Sequence, residues 1–251
     1  MITADRVQLV REIFQGTAAS YDVIVEQATR GADRKWKEAV LAHIDRPHRV
    51  LDLACGTRIL TRMILERFPD CTVVGADAQK EYLDTARERS RGRFDSRVQF
   101  VLSFAEDLNL SGPFDHVTAC YLPKYADLPR LLSRVEAMLT EGGRLIMQDF
   151  TYPRNTWVAL VWERVFADLK EWANRACREA VVMLQMLPDV VRGSRSVEEL
   201  SGLLRSRDFE HVAVERLSWG TSAIVSGRKT RAFPNSSADS PTTSSGSAWN
   251  G

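Results

Sequence analysis

Short apolar runs alternate with amphipathic segments through the middle of the chain, between residues 49 and 150. The runs RVLDLA, CTVVGAD, RVQFVLS, FDHVTACY and RLIMQDF predict five buried strands. Between them lie helical patterns such as LPRLLSRVEAML, in which Leu128, Leu131, Leu132, Val135 and Leu139 share one face and which we expect to end at Gly142–Gly143. This alternation predicts an α/β fold, a doubly wound sheet of parallel strands with helices on both sides.

Helical patterns also flank this central region. Residues 1–45 predict an N-terminal helical cap, and residues 154–190 predict a helical insertion rich in Trp, Phe, Val, Leu and Met that covers the substrate side. A further helix, SVEELSGLLRSR, precedes two strands that WG joins as a hairpin. We therefore place the main domain at 46–230, and residues 231–251 predict a disordered tail because they cannot bury enough apolar area to offset ordering.

Composition narrows the function classes. The 251 residues include 34 basic and 33 acidic side chains, a net charge of +1, so we expect no nucleic-acid partner. Cys55, Cys71, Cys120 and Cys177 form no CxxC pair and have no histidine at ligand spacing, which argues against a metal site or a disulfide framework. We expect reduced thiols in a cytoplasmic protein without a signal peptide or an integral membrane segment.

The first predicted strand runs into a small-residue loop, RVLDLACGTRIL, at residues 49–60. A doubly wound sheet binds ligands beside such loops, at the carboxyl ends of its strands. Gly56 is the only glycine of this loop, so the G-x-G-x-x-G pattern of dinucleotide sites is absent. Asp52 at the strand end would repel a pyrophosphate and favours a ligand with a positively charged amino group.

The ends of the second and third strands extend this candidate site. Asp77, about 20 residues after Gly56, lies where a carboxylate accepts hydrogen bonds from ribose hydroxyls. Phe104 offers a wall for an adenine, and the backbone around Ala105 offers hydrogen bonds. Either aspartate alone would favour a helix cap over a ligand contact, but an amino-acid end, a ribose and an adenine in this order match S-adenosylmethionine (SAM).

Several motifs together carry a family resemblance. VLDLACGT, VVGAD, FAED, FDHVTACY and LTEGGRLIMQDF resemble the successive motifs of class I SAM-dependent methyltransferases. FQGTAASYD near the start, the pair Trp36–Lys37 and the closing segment LSWGTSAIVSGRK resemble the branch of ubiquinone and menaquinone biosynthesis C-methyltransferases. This resemblance implies a Rossmann-like sheet of seven strands, the last antiparallel, with N-terminal helices that cap the cofactor SAM.

The resemblance also implies which residues contact the cofactor. They are Tyr21, Asp52, Ala54, Gly56, Thr57, Asp77, Ala78, Phe104, Ala105 and Cys120. Arg58 departs from the pattern, because it replaces the glycine of the usual G-T-G. We expect Arg58 to open the following helix with an ordinary backbone conformation, pointing outward or pairing with the cofactor carboxylate.

A second departure lies on the acceptor side. The Arg-Asn pair that quinone-pathway enzymes show after the fourth strand is replaced here by Lys124–Tyr125. Methyl transfer to a ring carbon beside a phenol benefits from a base, for which we name Asp149, with Tyr152, Tyr121 and Lys124 as alternatives. A structural role for Asp149, as a helix cap or in an ion pair, is an equal alternative.

Three functions remain open at this point. The first is a SAM-dependent methyltransferase acting on an apolar small molecule, with C-methylation of a quinol as the leading case. The second is an N- or O-methyltransferase of another small molecule or lipid headgroup, and the third is a non-catalytic SAM-binding partner protein. An apolar acceptor leaves room for transient contact with a membrane surface, and the apolar insertion leaves room for a homodimer.

Overall fold

The computed structural model describes residues 4–231 of the chain. The helices are α1 (Ala4–Phe14), α2 (Tyr21–Thr29), α3 (Ala32–Ala42), α4 (Ile59–Arg67), α5 (Lys80–Ser90), α6 (Leu128–Met138), α7 (Thr156–Ala176), α8 (Val181–Gly193) and α9 (Ser196–Arg205). The strands are β1 (Arg49–Leu53), β2 (Thr72–Asp77), β3 (Val98–Leu102), β4 (Phe114–Cys120), β5 (Leu139–Phe150), β6 (Phe209–Leu217) and β7 (Ser222–Lys229). Short 3₁₀ turns cover Pro123–Tyr125, Arg178–Ala180 and Ser218–Gly220.

All seven strands form one sheet in the order β3-β2-β1-β4-β5-β7-β6. The first five are parallel, and β7 runs antiparallel between β5 and β6. The predicted seven-stranded doubly wound sheet with an antiparallel last strand is thus confirmed. The strand order reverses between β1 and β4, and such a switch point opens a crevice at the carboxyl ends of the strands.

The boundary between α6 and β5 differs from the prediction. We expected the helix to end at Gly142–Gly143, but α6 ends at Met138, and Leu139 already has an extended backbone with φ −83° and ψ 135°. The side chain of Leu139 is buried, and the residue pairs with Phe114 of β4. Burial and strand pairing therefore place Leu139 in β5 rather than in the last turn of α6.

The apolar residues form two layers against the sheet and a third above its carboxyl edge. In the third layer, Ile13 and Ile24 of the N-terminal helices pack with Phe166 and Leu184 of the insertion. The cap and the insertion therefore form one helical cover over the crevice. Of the predicted tail 231–251, all but Arg231 lies outside the described residues.

Among residues 4–231, no helix is both long enough and apolar enough to cross a lipid bilayer.

Candidate active site

A cavity, here called the main cavity, opens at the carboxyl ends of β1 to β4 and encloses about 780 Å³ of space, its mouth included. Its lining is Arg6, Val10, Phe14, Tyr21, Ala54, Gly56, Asp77, Ala78, Gln79, Tyr82, Ser103, Phe104, Ala105, Glu106, Cys120, Tyr121, Leu122 and Tyr125. Most of the predicted cofactor contacts lie on this wall. The sequence therefore brings together residues from four strand ends and from the helical cap.

Asp77 at the tip of β2 lies on the wall of the main cavity and also holds the loop after β1. Its Oδ2 accepts a hydrogen bond from the backbone N–H of Gly56 at 2.8 Å, and its Oδ1 accepts one from Gln79 N–H at 2.8 Å. Burial raises the pKa of the Asp77 carboxyl, and these backbone hydrogen bonds counteract part of that shift. Each oxygen keeps a second lone pair for a ligand hydroxyl.

Gly56 has a left-handed backbone, with φ 55°. A Cβ at this position would come within 3.7 Å of Tyr82 and 3.8 Å of Tyr21, so the backbone conformation rather than space selects glycine here. The loop after β1 therefore presents bare backbone toward the two tyrosine rings.

A smaller space, here called the inner cavity, continues from the main cavity under this loop. Its lining is Tyr21, Lys37, Asp52, Ala54, Cys55, Gly56, Thr57, Ile59, Leu60, Cys120 and Tyr121. Asp52 is 1% exposed and accepts hydrogen bonds from Thr61 Oγ1 at 2.6 Å and Thr118 Oγ1 at 3.0 Å. Burial raises the pKa of Asp52 to about 6, against the effect of these two hydroxyls.

Thr57 joins the loop to the cap, because its hydroxyl donates to Asp22 Oδ1 at 2.5 Å. Asp22 in turn accepts from Arg89 Nη1 at 2.8 Å through its other oxygen. The side chain of Thr57 is thus committed to α2, although the residue lies on the inner cavity wall.

The expectation for Arg58 was wrong. The residue precedes α4 as its N-cap with φ 76° and ψ 25°, a left-handed conformation that a glycine adopts without strain. The side chain is 8% exposed and turns toward α5, where its Nη2 donates to the carbonyl of Arg89. Arg58 therefore lies outside the main and inner cavity walls, and its guanidinium neither points to solvent nor faces the site.

Aromatic rings close the main cavity on the side of the cap. Tyr21 packs edge-to-face against Tyr82 at 5.0 Å between ring centroids, and Phe14 packs against Tyr125 at 5.7 Å. The Tyr82 hydroxyl lies 2.5 Å from Thr17 Oγ1, which fixes the ring. Tyr82 was not predicted, although its place on the inward face of α5 follows from helical spacing.

A third space, here called the apolar cavity, lies between α2, α8 and the turn after β4. Its lining is Phe14, Tyr21, Ile24, Val25, Ala28, Tyr121, Lys124, Tyr125, Phe150, Met183, Leu184 and Leu187. It shares four aromatic side chains, Phe14, Tyr21, Tyr121 and Tyr125, with the main cavity.

Lys124 and Asp149 form a buried ion pair behind this cavity. Lys124 Nζ donates to Asp149 Oδ1 and to the Tyr121 carbonyl, each at 2.7 Å, and both side chains of the pair are 1% exposed. Asp149 Oδ2 accepts from the backbone N–H of Lys124 at 2.7 Å and from Ser196 Oγ at 3.2 Å. Burial lowers the pKa of Lys124, and the charge of Asp149 opposes this shift. Lys124 lines the apolar cavity, whereas Asp149 does not and instead holds Lys124 in place through hydrogen bonds.

The other two catalytic candidates, Tyr121 and Tyr152, lie in different places: the first on the cavity walls and the second away from them. Tyr121 lies on the walls of all three cavities, stacks on Phe150 at 4.7 Å and has φ 65°. Tyr152 is 36% exposed, and its hydroxyl donates to Glu163 Oε1 at 3.1 Å. The structure does not bring Tyr152 to the main or apolar cavity, because the chain turns outward after Phe150.

Cys120 ends β4 between the main and inner cavities. Burial raises the pKa of its thiol to about 12, so the sulfur remains a protonated, uncharged group. Within residues 4–231 no group of three or more His, Cys, Asp or Glu side chains is arranged to hold a metal ion.

Solved structures with the same fold include two methyltransferases. The plantazolicin methyltransferase BpumL in complex with SAH aligns with a TM-score of 0.60 and 14% identity, covering 89% of this chain and 94% of that one. Phosphoethanolamine N-methyltransferase 2 of Haemonchus contortus in complex with SAM aligns with a TM-score of 0.58 and 16% identity, covering 78% and 53%. The fold is thus one that SAM-dependent methyltransferases adopt.

The sequence comparisons give the family. The ubiE/COQ5 methyltransferase family model matches residues 2–229, and the chain belongs to this family. The demethylmenaquinone methyltransferase of Thermus thermophilus is 31% identical over 219 residues, covering 86% of this chain and 99% of that protein. The ubiquinone/menaquinone biosynthesis C-methyltransferase UbiE of Methylobacterium nodulans is 28% identical, covering 88% and 90%. The chain is therefore an enzyme that uses SAM as its methyl donor.

Proposed function

We propose that this enzyme transfers the methyl group of SAM to a ring carbon of an apolar, quinol-type acceptor. The observation that carries the proposal is the apolar cavity, which meets the main cavity across four shared aromatic side chains. Lys124 is the one charged residue in its lining and is already paired with Asp149. A charged headgroup would find no free countercharge there, whereas an aromatic ring with an alkyl chain would bury its apolar surface.

The names of the curated relatives support a quinol. They are called demethylmenaquinone methyltransferases or ubiquinone/menaquinone C-methyltransferases, and the alignments span nearly their full length. Methylation of a charged lipid headgroup would need a polar acceptor pocket, which the lining of the apolar cavity does not offer. Arg58 lies outside the main and inner cavity walls and leaves them free, so this departure from the family pattern does not favour a non-catalytic SAM-binding protein.

The residues present fit SAM in the main and inner cavities. Asp77 supplies carboxylate oxygens for the ribose hydroxyls, and Phe104 with the Ala105 backbone forms the adenine wall. The inner cavity, with Asp52 on its wall, receives the amino-acid end. Ala54, Gly56, Ala78 and Cys120 contribute small surfaces that allow a close approach, and Tyr21 covers the ligand from the cap.

The bound SAM would supply a methyl group activated by its sulfonium. The chain itself has to align the acceptor carbon with that methyl and exclude water, which the shared aromatic side chains do. Lys124 lies on the wall of the apolar cavity beside Tyr121 and Tyr125, which also line the main cavity, and it has one ammonium N–H on Asp149 and one on the Tyr121 carbonyl. We assign its third N–H to the oxygen of an acceptor that binds as a phenolate, its phenolic proton released to solvent, because that negative charge makes the neighbouring ring carbon nucleophilic. The carbon would take the methyl group, the cofactor would leave as the neutral thioether S-adenosylhomocysteine, and the proton on the methylated carbon would pass to water. Asp149 acts through Lys124 as a positioning residue.

Contact with a membrane surface belongs to the same proposal. The first turns of α7 expose Trp157, Leu160 and Val161, at 78%, 57% and 61% of their surface. Exposed tryptophan and aliphatic side chains favour the interface of a lipid bilayer, where an apolar acceptor dissolves. A homodimer through this patch is the competing use of it, and size-exclusion chromatography with light scattering separates the two.

The test is methyl transfer from SAM labelled in its methyl group. A reduced short-chain demethylmenaquinone is the acceptor, and the same ring already methylated at the target carbon is the matched control. We expect label in the ring of the first compound, located by mass spectrometry, and none in the second. Label on phosphoethanolamine instead, with none on either quinol, would overturn the proposal in favour of a headgroup methyltransferase.

A further inference from the structure

The inner cavity contains a buried cation that has no role in the site described so far. Lys37 lies on α3, the third helix of the cap, and is 3% exposed. Among residues 4–231 it is the only positively charged residue in the lining of the inner cavity, where it lies beside Asp52 and the first turn of α4. A lysine is rarely buried to this extent without a specific partner, so its placement calls for an explanation.

Two residues fix the position of this ammonium group. Lys37 Nζ donates to Asp33 Oδ1, and the Tyr121 hydroxyl donates to the same oxygen at 2.6 Å. The Tyr121 ring also lies under the ammonium, with its centroid 4.9 Å from Nζ. One of the three ammonium hydrogens is therefore used on Asp33, and the other two have no acceptor among the described residues.

The charges around the inner cavity match a zwitterion. Asp52 is suited to a positively charged amino group, as described above. A ligand amino acid also has a carboxylate, which needs a positive partner within a few ångströms when it leaves water. Lys37 supplies a full charge, and the start of α4 at Ile59 adds the partial positive charge of a helix N-terminus on the same wall.

We propose that Lys37 binds the carboxylate of the cofactor's methionine half, and that Asp33 and Tyr121 are positioning residues that hold its ammonium at the inner cavity. This inference rests on the proposed placement of SAM in the main and inner cavities. Because Tyr121 also lies on the apolar cavity, the same three residues connect recognition of the cofactor's amino-acid end to the acceptor side.

The test compares two ligands that differ only in the carboxylate, SAM and decarboxylated SAM. Affinities are measured by calorimetry for the wild type, for Lys37→Met and for Lys35→Met, an exposed lysine on the same helix. We expect the wild type to prefer SAM by about 30-fold, the range of a charge-assisted hydrogen bond. Lys37→Met should bind both ligands within about threefold of each other, and Lys35→Met should keep the full preference.

Three further variants extend the test: two guard against misfolding of Lys37→Met, and the third checks the role of Tyr121. Lys37→Arg retains the charge and should keep a preference of at least about tenfold. If Lys37→Met does not fold because Asp33 loses its partner, the paired change Asp33→Asn with Lys37→Met removes both charges and takes its place. Tyr121→Phe keeps the ring on the cavity walls and removes only the hydroxyl that donates to Asp33, so it should reduce the preference for SAM over decarboxylated SAM by about threefold.

The outcomes separate this inference from the proposed function. A 30-fold preference that survives Lys37→Met overturns the role of Lys37. Equal binding of both ligands by the wild type also overturns it, while SAM binding as such remains. If the wild type binds neither ligand, the placement of SAM itself fails.

Discussion

The two halves of this active site are built differently. The half around the main cavity comes from strand ends, where Asp77 and the loop after β1 hold each other through backbone hydrogen bonds. The half around the apolar cavity comes from helices far apart in the chain, α2 of the cap and α8 of the insertion, with the turn after β4. The first half depends on the backbone of the sheet and the second on side-chain packing.

This difference explains where the chain departs from the family pattern. Lys124–Tyr125 replaces a pair on the acceptor side, where a change in side chains reshapes a cavity without disturbing the sheet. On the cofactor side Arg58 replaces a glycine, and the backbone keeps a left-handed conformation despite the larger residue. The cofactor half tolerates a strained residue, whereas the acceptor half adapts through its side chains.

The largest expected effect comes from Asp77→Ala. The change removes the proposed ribose acceptor and releases the Gly56 N–H, so SAM affinity should fall by at least about 100-fold, or ~2.7 kcal/mol. Calorimetry against Asp84→Ala, a half-exposed aspartate on α5, provides the matched control. SAM binding within threefold of the wild type would remove the main cavity from the cofactor assignment.

The next effect is the pH dependence of SAM binding. Burial raises the pKa of Asp52 to about 6, so the carboxylate that attracts the ligand amino group takes up a proton as the pH falls. SAM affinity should therefore weaken about tenfold between pH 7 and pH 5. Asp52→Asn should bind weakly with a flat profile over this range, and a flat profile in the wild type would count against the role of Asp52.

The stability of the fold should also depend on the protonation of Asp52, but with the opposite sign: SAM affinity rises with pH, whereas stability falls. The pKa of Asp52 in the folded state lies above the ordinary value of about 3.9, so the fold is favoured when the group is protonated. Its stabilising contribution is complete below about pH 4 and is lost as the pH rises through about 6. Urea unfolding without ligand should show Asp52→Asn gaining over the wild type at pH 8 and losing that advantage at pH 4.

A smaller and more selective effect is expected from filling the apolar cavity. Leu187→Phe adds volume to its wall, so KM for the quinol should rise about fivefold while SAM affinity stays within twofold. Val182→Phe, on the exposed face of the same helix, serves as the control. A loss of SAM affinity equal to the loss for the acceptor would show that the two halves are not separable in this way.

The smallest effect concerns the strained loop. Arg58→Gly and Arg58→Ala both remove the guanidinium, but only glycine accepts φ 76° without a steric cost. The glycine variant should be more stable than the alanine variant by about 1 kcal/mol in urea unfolding. An alanine variant of equal stability would mean that the loop relaxes when the arginine is removed.

Local sequence patterns predict which residues gather on the wall of the main cavity, because each signal lies beside its own strand. The strand before Asp77 and the apolar run before Asp52 place both carboxylates at the same edge of the sheet. Lys37 was not among the predicted site residues, because α3 and the loop after β1, which line the inner cavity together, are separated in the sequence by a strand. The sequence did contain a signal for a buried Lys37. It follows Asp33 at a spacing of four, which allows an ion pair on one helix face, and it lies beside Trp36 on the buried side of α3.

For the acceptor half, the sequence predicted that the covering helices are apolar, but not which of their residues line the apolar cavity. Proximity in the sequence suggested Tyr152 together with Asp149, but strand alternation and the outward turn after Phe150 separate them. The left-handed conformation of Arg58 was also beyond reach, because it depends on where α4 begins. A shift of one residue in the start of α4 decides whether Arg58 is the first helical residue or the N-cap, and sequence patterns do not locate helix starts to within one residue.

The position of β7 has a consequence for synthesis of the chain. This strand is the last of the seven to leave the ribosome, yet it lies between β5 and β6 and gives β5 its second neighbour. Until it arrives, a nascent chain that already holds both aspartates of the cofactor crevice exposes an unpaired, apolar strand. Ribosome-stalled chains ending before residue 222 should therefore recruit chaperones, and chains released after residue 229 should not.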